Sequence, residues 1–202
     1  MQDIPKIYTA LAEWLSCIFI VIEYRKYIDK KAYISTGLKL TASFLILCVI
    51  QYLCGMVSNI LWLTGMTIAV VAMTMTIEGC LSIGWKTSWY LCARAFLKAE
   101  FLAAIEWQIF YYYFNKENSF TTVIGGCFCF GFYVIGFGVI SWIEQHFFER
   151  PVVGEKIIVT TKYIVLVWSV SILVFSLSNL SYISVATPFT GTETMEIFNI
   201  RT

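Results

Sequence analysis

Long apolar blocks alternate with short polar connections along the whole chain. Within the blocks the apolar residues run together, without the three-and-four spacing of a helix that faces water on one side. Runs of about 18 or more such residues read as membrane helices. Six spans emerge: Ile7–Ile22, Leu38–Cys54, Ile60–Ile77, Trp89–Tyr113, Thr121–Ile143 and Tyr163–Leu180. The first connection, EYRKYIDKKAY, holds Arg25, Lys26, Lys30 and Lys31, and the second, GMVSN, is tight. The polar stretch EGCLSIGWKTS, Glu78–Ser88, precedes the fourth span, and NKENS, residues 115–119, is a short turn after it. The loop EQHFFERPVVGEKIIVTTK, with Pro151 and Gly154, ends the fifth helix. A polar tail, Ser181–Thr202, closes the chain.

Short connections and the lack of alternating ten-residue strands favour helices over a β-barrel. The expected fold is all-α: a polytopic membrane bundle of six transmembrane helices, with residues 1–180 as one transmembrane domain and 181–202 as an external tail. Lys and Arg set its orientation. With the first connection in the cytoplasm, Arg25, Lys26, Lys30, Lys31, Lys39, Lys86, Arg94, Arg150, Lys156 and Lys162 fall on that side, and Lys6, Lys116 and Arg201 outside. Both termini are therefore expected outside. Trp85, Trp89, Trp142 and Tyr111–Tyr113 fall near the interfaces, where amphipathic rings are favoured. MQDIPKIY has no basic leader before the first apolar run, so that run reads as a retained helix.

Composition agrees with this class. Apolar residues make up 59% of the chain, and charged ones 13% against the roughly 25% of a soluble domain. A net charge of +1 gives no basic surface for nucleic acid. Most of the cysteines lie inside apolar blocks, where the thiol packs as a small apolar group, and Cys127 and Cys129 lack a second pair for zinc. No phosphate loop, metal cluster or nucleophile–base pair is evident, so neither a metal nor a cofactor is expected.

The fourth span is the exception, because it carries Arg94, Lys98, Glu100 and Glu106. One charge near the middle of a membrane helix costs about 2.5–3.5 kcal/mol on insertion scales, so these must face protein, pair, or snorkel. Arg94 and Lys98 lie one turn apart on nearly one face. Glu100 is expected near mid-membrane, holding the bundle together. Glu106, with Trp107 and Gln108, is expected in the outer half, placed to meet a ligand from outside. The bland reading is structural: the cations snorkel and Glu100 accepts hydrogen bonds from a neighbour. A proton or cation pathway would want carboxylates on other spans, for which Glu13 and Glu78 are the near candidates. The single histidine, His146, reads as a solvated interfacial residue.

The stretch Cys92-Ala-Arg-Ala-Phe-Leu-Lys-Ala-Glu-Phe-Leu-Ala-Ala-Ile-Glu-Trp-Gln108 resembles the membrane sensor region of GHKL-type histidine kinases from Firmicutes, relatives of the receptors for autoinducing peptides. The tail is similar too, in Asn179-Leu-Ser-Tyr-Ile183, Thr187-Pro-Phe-Thr-Gly191 and Glu196-Ile-Phe-Asn-Ile-Arg-Thr202. Arg94, Glu100, Glu106 and Trp107 match the family motif; Lys98 and Ala104 depart from it, and Lys98 complicates a simple Arg94–carboxylate pair. The resemblance implies a multi-pass cell-membrane sensor in two-component, quorum-sensing signal transduction. Its partners would be the lipid bilayer, an extracellular peptide, and a second copy or a full-length kinase. It also implies a last helix, a coiled coil with the phosphoacceptor histidine and an ATP-binding domain after residue 202, so these residues alone are expected not to be an enzyme. Two other classes stay open: a small multipass transporter or channel subunit, which needs a polar path built by several spans, and an intramembrane peptide-processing enzyme, which needs Cys80 to face His146.

Overall fold

A computed structural model describes residues 6–28, 32–56, 59–114, 123–147, 152–153, 156–157 and 159–178. Among the described residues six α-helices form the body: α1 (Lys6–Glu23), α2 (Tyr33–Gly55), α3 (Asn59–Leu81), α4 (Trp85–Phe114), α5 (Val123–Phe147) and α6 (Thr161–Ser178). A single 3-10 turn, Arg25–Tyr27, follows α1. A minimal antiparallel ladder, Val152–Val153 with Lys156–Ile157, lies between α5 and α6. The all-helical expectation thus holds for the body. The NKENS turn, Pro151, Gly154 and the tail 181–202 lie outside the described residues.

Among the described residues three helices are long and apolar enough to cross a membrane: Tyr33–Cys54, Leu63–Leu81 and Gly125–Phe147; Thr161–Leu177 is apolar but shorter. Their outward faces are greasy. Leu38, Leu45, Val49 and Leu53 on α2, Ile135 and Val139 on α5, and Val165, Ile172 and Leu173 on α6 are all exposed. Monomeric soluble proteins rarely show contiguous apolar patches above a few hundred Å², so this surface suits lipid rather than water.

α1 and α4 run through the centre. α1 packs on α2, α3, α4 and α5, and α4 packs on α1, α3, α5 and α6. One core joins Cys17 and Ile20 of α1 and Tyr24 just after it with Met73 and Ile77 of α3, Leu91 and Phe96 of α4 and Phe175 of α6. A second joins Ala12 and Leu15 of α1, Ala99 and Leu102 of α4, and Tyr133 and Phe137 of α5. At Gly136 the backbone of α5 comes so near α4 that an added methyl would sit 2.7 Å from Leu102 Cδ2. Small residues permit such approaches where the surrounding lipid is as apolar as the helices.

Each chain reversal brings the C-termini of α1, α3 and α5 to the same end as the N-termini of α2, α4 and α6. Lys39 Nζ at the start of α2 donates to the Gly79 carbonyl at the end of α3 (2.6 Å), a cation on the negative end of a helix. Arg94 reaches the end of α1 and the end of α5. Trp89 of α4 meets Trp168 of α6 at 5.4 Å between centroids. Arg25, Lys26, Lys39, Lys86 and Lys162 are exposed there, and we call this the basic end.

Helix bounds differ from the apolar spans chiefly at this end. α2 starts at Tyr33 instead of Leu38, and the connection expected over Glu78–Ser88 shrinks to Ser82–Gly84. Ser82 (φ 51°) and Gly84 (φ 86°) make that turn in the left-handed region. Backbone hydrogen bonding carries a helix past the end of its apolar stretch, and hydropathy does not register the extension.

Candidate functional site

The charged fourth span is the core of the site. Arg94 lies in the third turn of α4 and Lys98 one turn further, on nearly one face. That face meets the ends of α1 and α5. Arg94 donates to Glu144 Oε2 (2.8 Å) and to the Tyr24 hydroxyl (2.9 Å), and stands 3.5 Å from Glu23 Oε1. Lys98 Nζ pairs with the same Glu144 oxygen and stands 3.8 Å from Glu23 Oε2. Two cations therefore share two carboxylates drawn from two other helices. The cluster is electroneutral and largely shielded: the side chains of Glu23 and Lys98 are 2% and 5% exposed, those of Arg94 and Glu144 14% and 20%. Tyr90 adds a ring face 5.8 Å from the Arg94 guanidinium.

Glu106 occupies the opposite part of α4. It is fully buried, and its two oxygens accept from the Cys129 thiol (2.8 Å) and the Tyr133 hydroxyl (3.1 Å), both on α5. Cys129 and Tyr133 are one turn apart on α5, which aims both donors at one carboxyl group. Steps of 100° connect Arg94, Lys98, Leu102 and Glu106 into one slowly turning stripe. Its polar ends hold α5 at both extremes, and Leu102 against Gly136 fills the middle.

Glu100 is buried on another face. It lies two turns beyond Ala93, whose carbonyl accepts from Ser171 of α6 (3.1 Å), and so continues the row that packs on α6. Trp107 and Gln108 belong to α4, but their side chains lie outside the described residues. Of the sequence candidates, Arg94 and Glu106 thus share a stripe facing α5, and Glu100 stands apart from them.

Glu23 and Glu144 were missed by sequence reasoning, which assigned both to polar connections. They are the last residue of α1 and a last-turn residue of α5. A signal did exist: two cations on one face of a membrane helix require two nearby anions, and these carboxylates end the spans that finish at the same edge. Buried charge is not confined to the fourth span. Buried acids come from α1 as well, since Glu13 is 1% exposed and accepts from Gln51 Nε2 of α2 (2.7 Å). That amide also lies 3.4 Å from Met66 Sδ of α3.

Cys80 is buried in the larger core, whereas His146 is exposed, its ring over Trp142 at 4.6 Å and its Nδ1 3.0 Å from the Trp142 carbonyl. The seven cysteines are free thiols. Among the described residues no three His, Cys, Asp or Glu side chains gather as a metal site would require. Buried pairs like those of α4 gain little net stability but specify one helix arrangement, and breaking one leaves an uncompensated charge. The chemistry on display is therefore positional: polar fastenings that hold or release helices. Neither a family model, nor a characterised protein, nor a solved structure matches this chain.

Proposed function

We propose that this chain is the membrane-embedded sensing region of a two-component receptor histidine kinase, of the GHKL type that Cys92–Gln108 resembles. In this reading the bundle crosses the membrane six times, with the basic end in the cytoplasm and both termini outside. An extracellular peptide is the signal. Phosphoryl transfer belongs to a cytoplasmic module of a full-length kinase, with which this region works as a homodimer or mixed dimer, and residues 1–202 catalyse nothing themselves.

One observation carries the reading: polar contacts join α4 and α5 at both ends of their interface, Glu106 with Cys129 and Tyr133 at one and Arg94 and Lys98 with Glu144 at the other. Cys129 and Glu144 are 15 residues apart in one helix, about 22 Å along its axis. A perturbation near Glu106 that shifts α5 along α4 alters the other fastening on the same rigid element. A signal then acts by differential stabilisation of two packings.

A transporter or channel subunit is the second reading. It is favoured by polar groups contributed by α1, α2, α4 and α5: buried Glu13, Gln51 and Glu106 and half-buried Glu144, with their partners. Proteoliposomes separate the two. The purified chain, reconstituted with an internal pH-sensitive dye and an imposed proton or potassium gradient, is expected to give no flux above empty vesicles. Synthetic autoinducing peptides are expected to raise its thermal stability in nanodiscs, and Glu106→Gln to weaken that response. Dye-reported flux abolished by Glu106→Gln, with no peptide stabilisation, would replace the receptor by a transporter.

A further inference from the structure

We propose that the basic end is a binding surface for the headgroups of anionic phospholipids. The inference rests on the membrane reading of the helices and is independent of the receptor reading.

Charge at this end is sorted by burial. Arg94 and Lys98 are neutralised internally by Glu23 and Glu144. Arg25, Lys26, Lys39, Lys86 and Lys162 are left exposed, and no described Asp or Glu at this end is exposed: Glu78 and Glu144 are half-buried and Glu23 is buried. The connections from α1 to α2 and from α5 to α6 hold Asp29, Lys30, Lys31, Glu149, Arg150, Glu155 and Lys156, four cations and three anions. A cationic rim therefore crowns a neutral interior.

The rim also sits at headgroup depth. Exposed rings of Tyr33, Trp85, Trp142 and Tyr163 lie on α2, α4, α5 and α6 at the same end as the cations. Such rings settle at the boundary between hydrocarbon and headgroups. The exposed apolar faces of α2, α5 and α6 begin next to them. Lys86 adjoins Trp85, and Lys162 adjoins Tyr163, in the first turns of α4 and α6, so these cations lie at the depth of rings that mark the phosphate layer. Cations held at that layer attract anionic headgroups over about a Debye length, some 10 Å in 0.1 M salt. A soluble acidic ligand would not require the flanking belt of rings; a lipid does.

The test is the association of spin-labelled lipid with the full chain in phosphatidylcholine bilayers. Electron paramagnetic resonance resolves lipid restrained at the protein surface, and comparing labelled phosphatidylglycerol with labelled phosphatidylcholine gives a selectivity ratio. Each cation near the surface is worth about a fivefold local preference at low salt, so a ratio well above one is expected. Arg25→Gln with Lys86→Gln and Lys162→Gln, which leaves Lys26 and Lys39, should lower the ratio severalfold at unchanged helix content, and 0.5 M salt should lower it in the unmodified chain. These three residues make none of the contacts that hold the buried cluster, so the variant keeps its fold. Equal restraint of both lipids by the unmodified chain overturns the proposal alone. Absence of any restrained lipid overturns it together with the membrane reading.

Discussion

Replacing Glu144 by Gln removes one of two anions from a cluster that holds two cations. Glu144 makes the shorter contacts, 2.8 Å to Arg94 and a direct pair with Lys98, while Glu23 stands at 3.5 and 3.8 Å. The variant leaves both cations facing a single carboxylate in a low-dielectric setting. Breaking a buried pair by deleting one partner costs about 3–5 kcal/mol. Because the Glu144 side chain is 20% exposed, water or headgroups relieve part of the imbalance, and the lower end of that range, about 3 kcal/mol, is expected. Lys98→Met leaves the opposite imbalance and should cost a similar amount. Combining the two returns one cation to one anion, Arg94 with Glu23. The double variant should therefore lose only about 1 kcal/mol, because replacing a whole buried pair is often near neutral. Unfolding by sodium dodecyl sulfate in mixed micelles, followed by far-UV circular dichroism, gives each free energy and the coupling between the sites. Additive losses, with the double variant as unstable as the sum of the singles, would refute a shared network.

Further outcomes follow from the helix contacts. Tyr133→Phe removes one donor to Glu106 and should cost about 1 kcal/mol in the same assay, since Cys129 still serves the carboxyl group. Gly136→Ala should be less stable than Gly131→Ala by about 1–3 kcal/mol: the first methyl meets Leu102 at 2.7 Å, whereas the second meets nothing within 4 Å.

The helical frame is legible in the apolar blocks, because a backbone in hydrocarbon must satisfy its own hydrogen bonds. Every block became a helix, yet ends at the basic side were placed wrongly where polar residues such as Lys86, Thr87 and Ser88 continue a helix beyond its greasy part. The special standing of Arg94 and Lys98 could be read from the insertion cost of charge. Their partners could not be assigned, because pairing depends on which helix ends meet, and Glu23 and Glu144 are 121 residues apart in the chain. Gln51 and Glu13 illustrate the same limit: neither residue's neighbours hint at the other. Cys129 was read as packing, and a thiol's part as hydrogen-bond donor becomes visible only once Glu106 lies opposite it.

The central claim is that α5 links the fastening at Glu106 to the one at Glu144. Pulsed electron resonance between spin labels at Lys86→Cys and Phe147→Cys tests it directly, with Cys127→Ser removing the exposed native thiol. Both label positions are exposed at the basic end, at the start of α4 and the end of α5. Adding Glu106→Gln, a change at the far end of the same interface, is expected to shift or broaden the distance distribution in nanodiscs. A distribution identical with and without Glu106→Gln would contradict the claim, since the two ends would then be held independently.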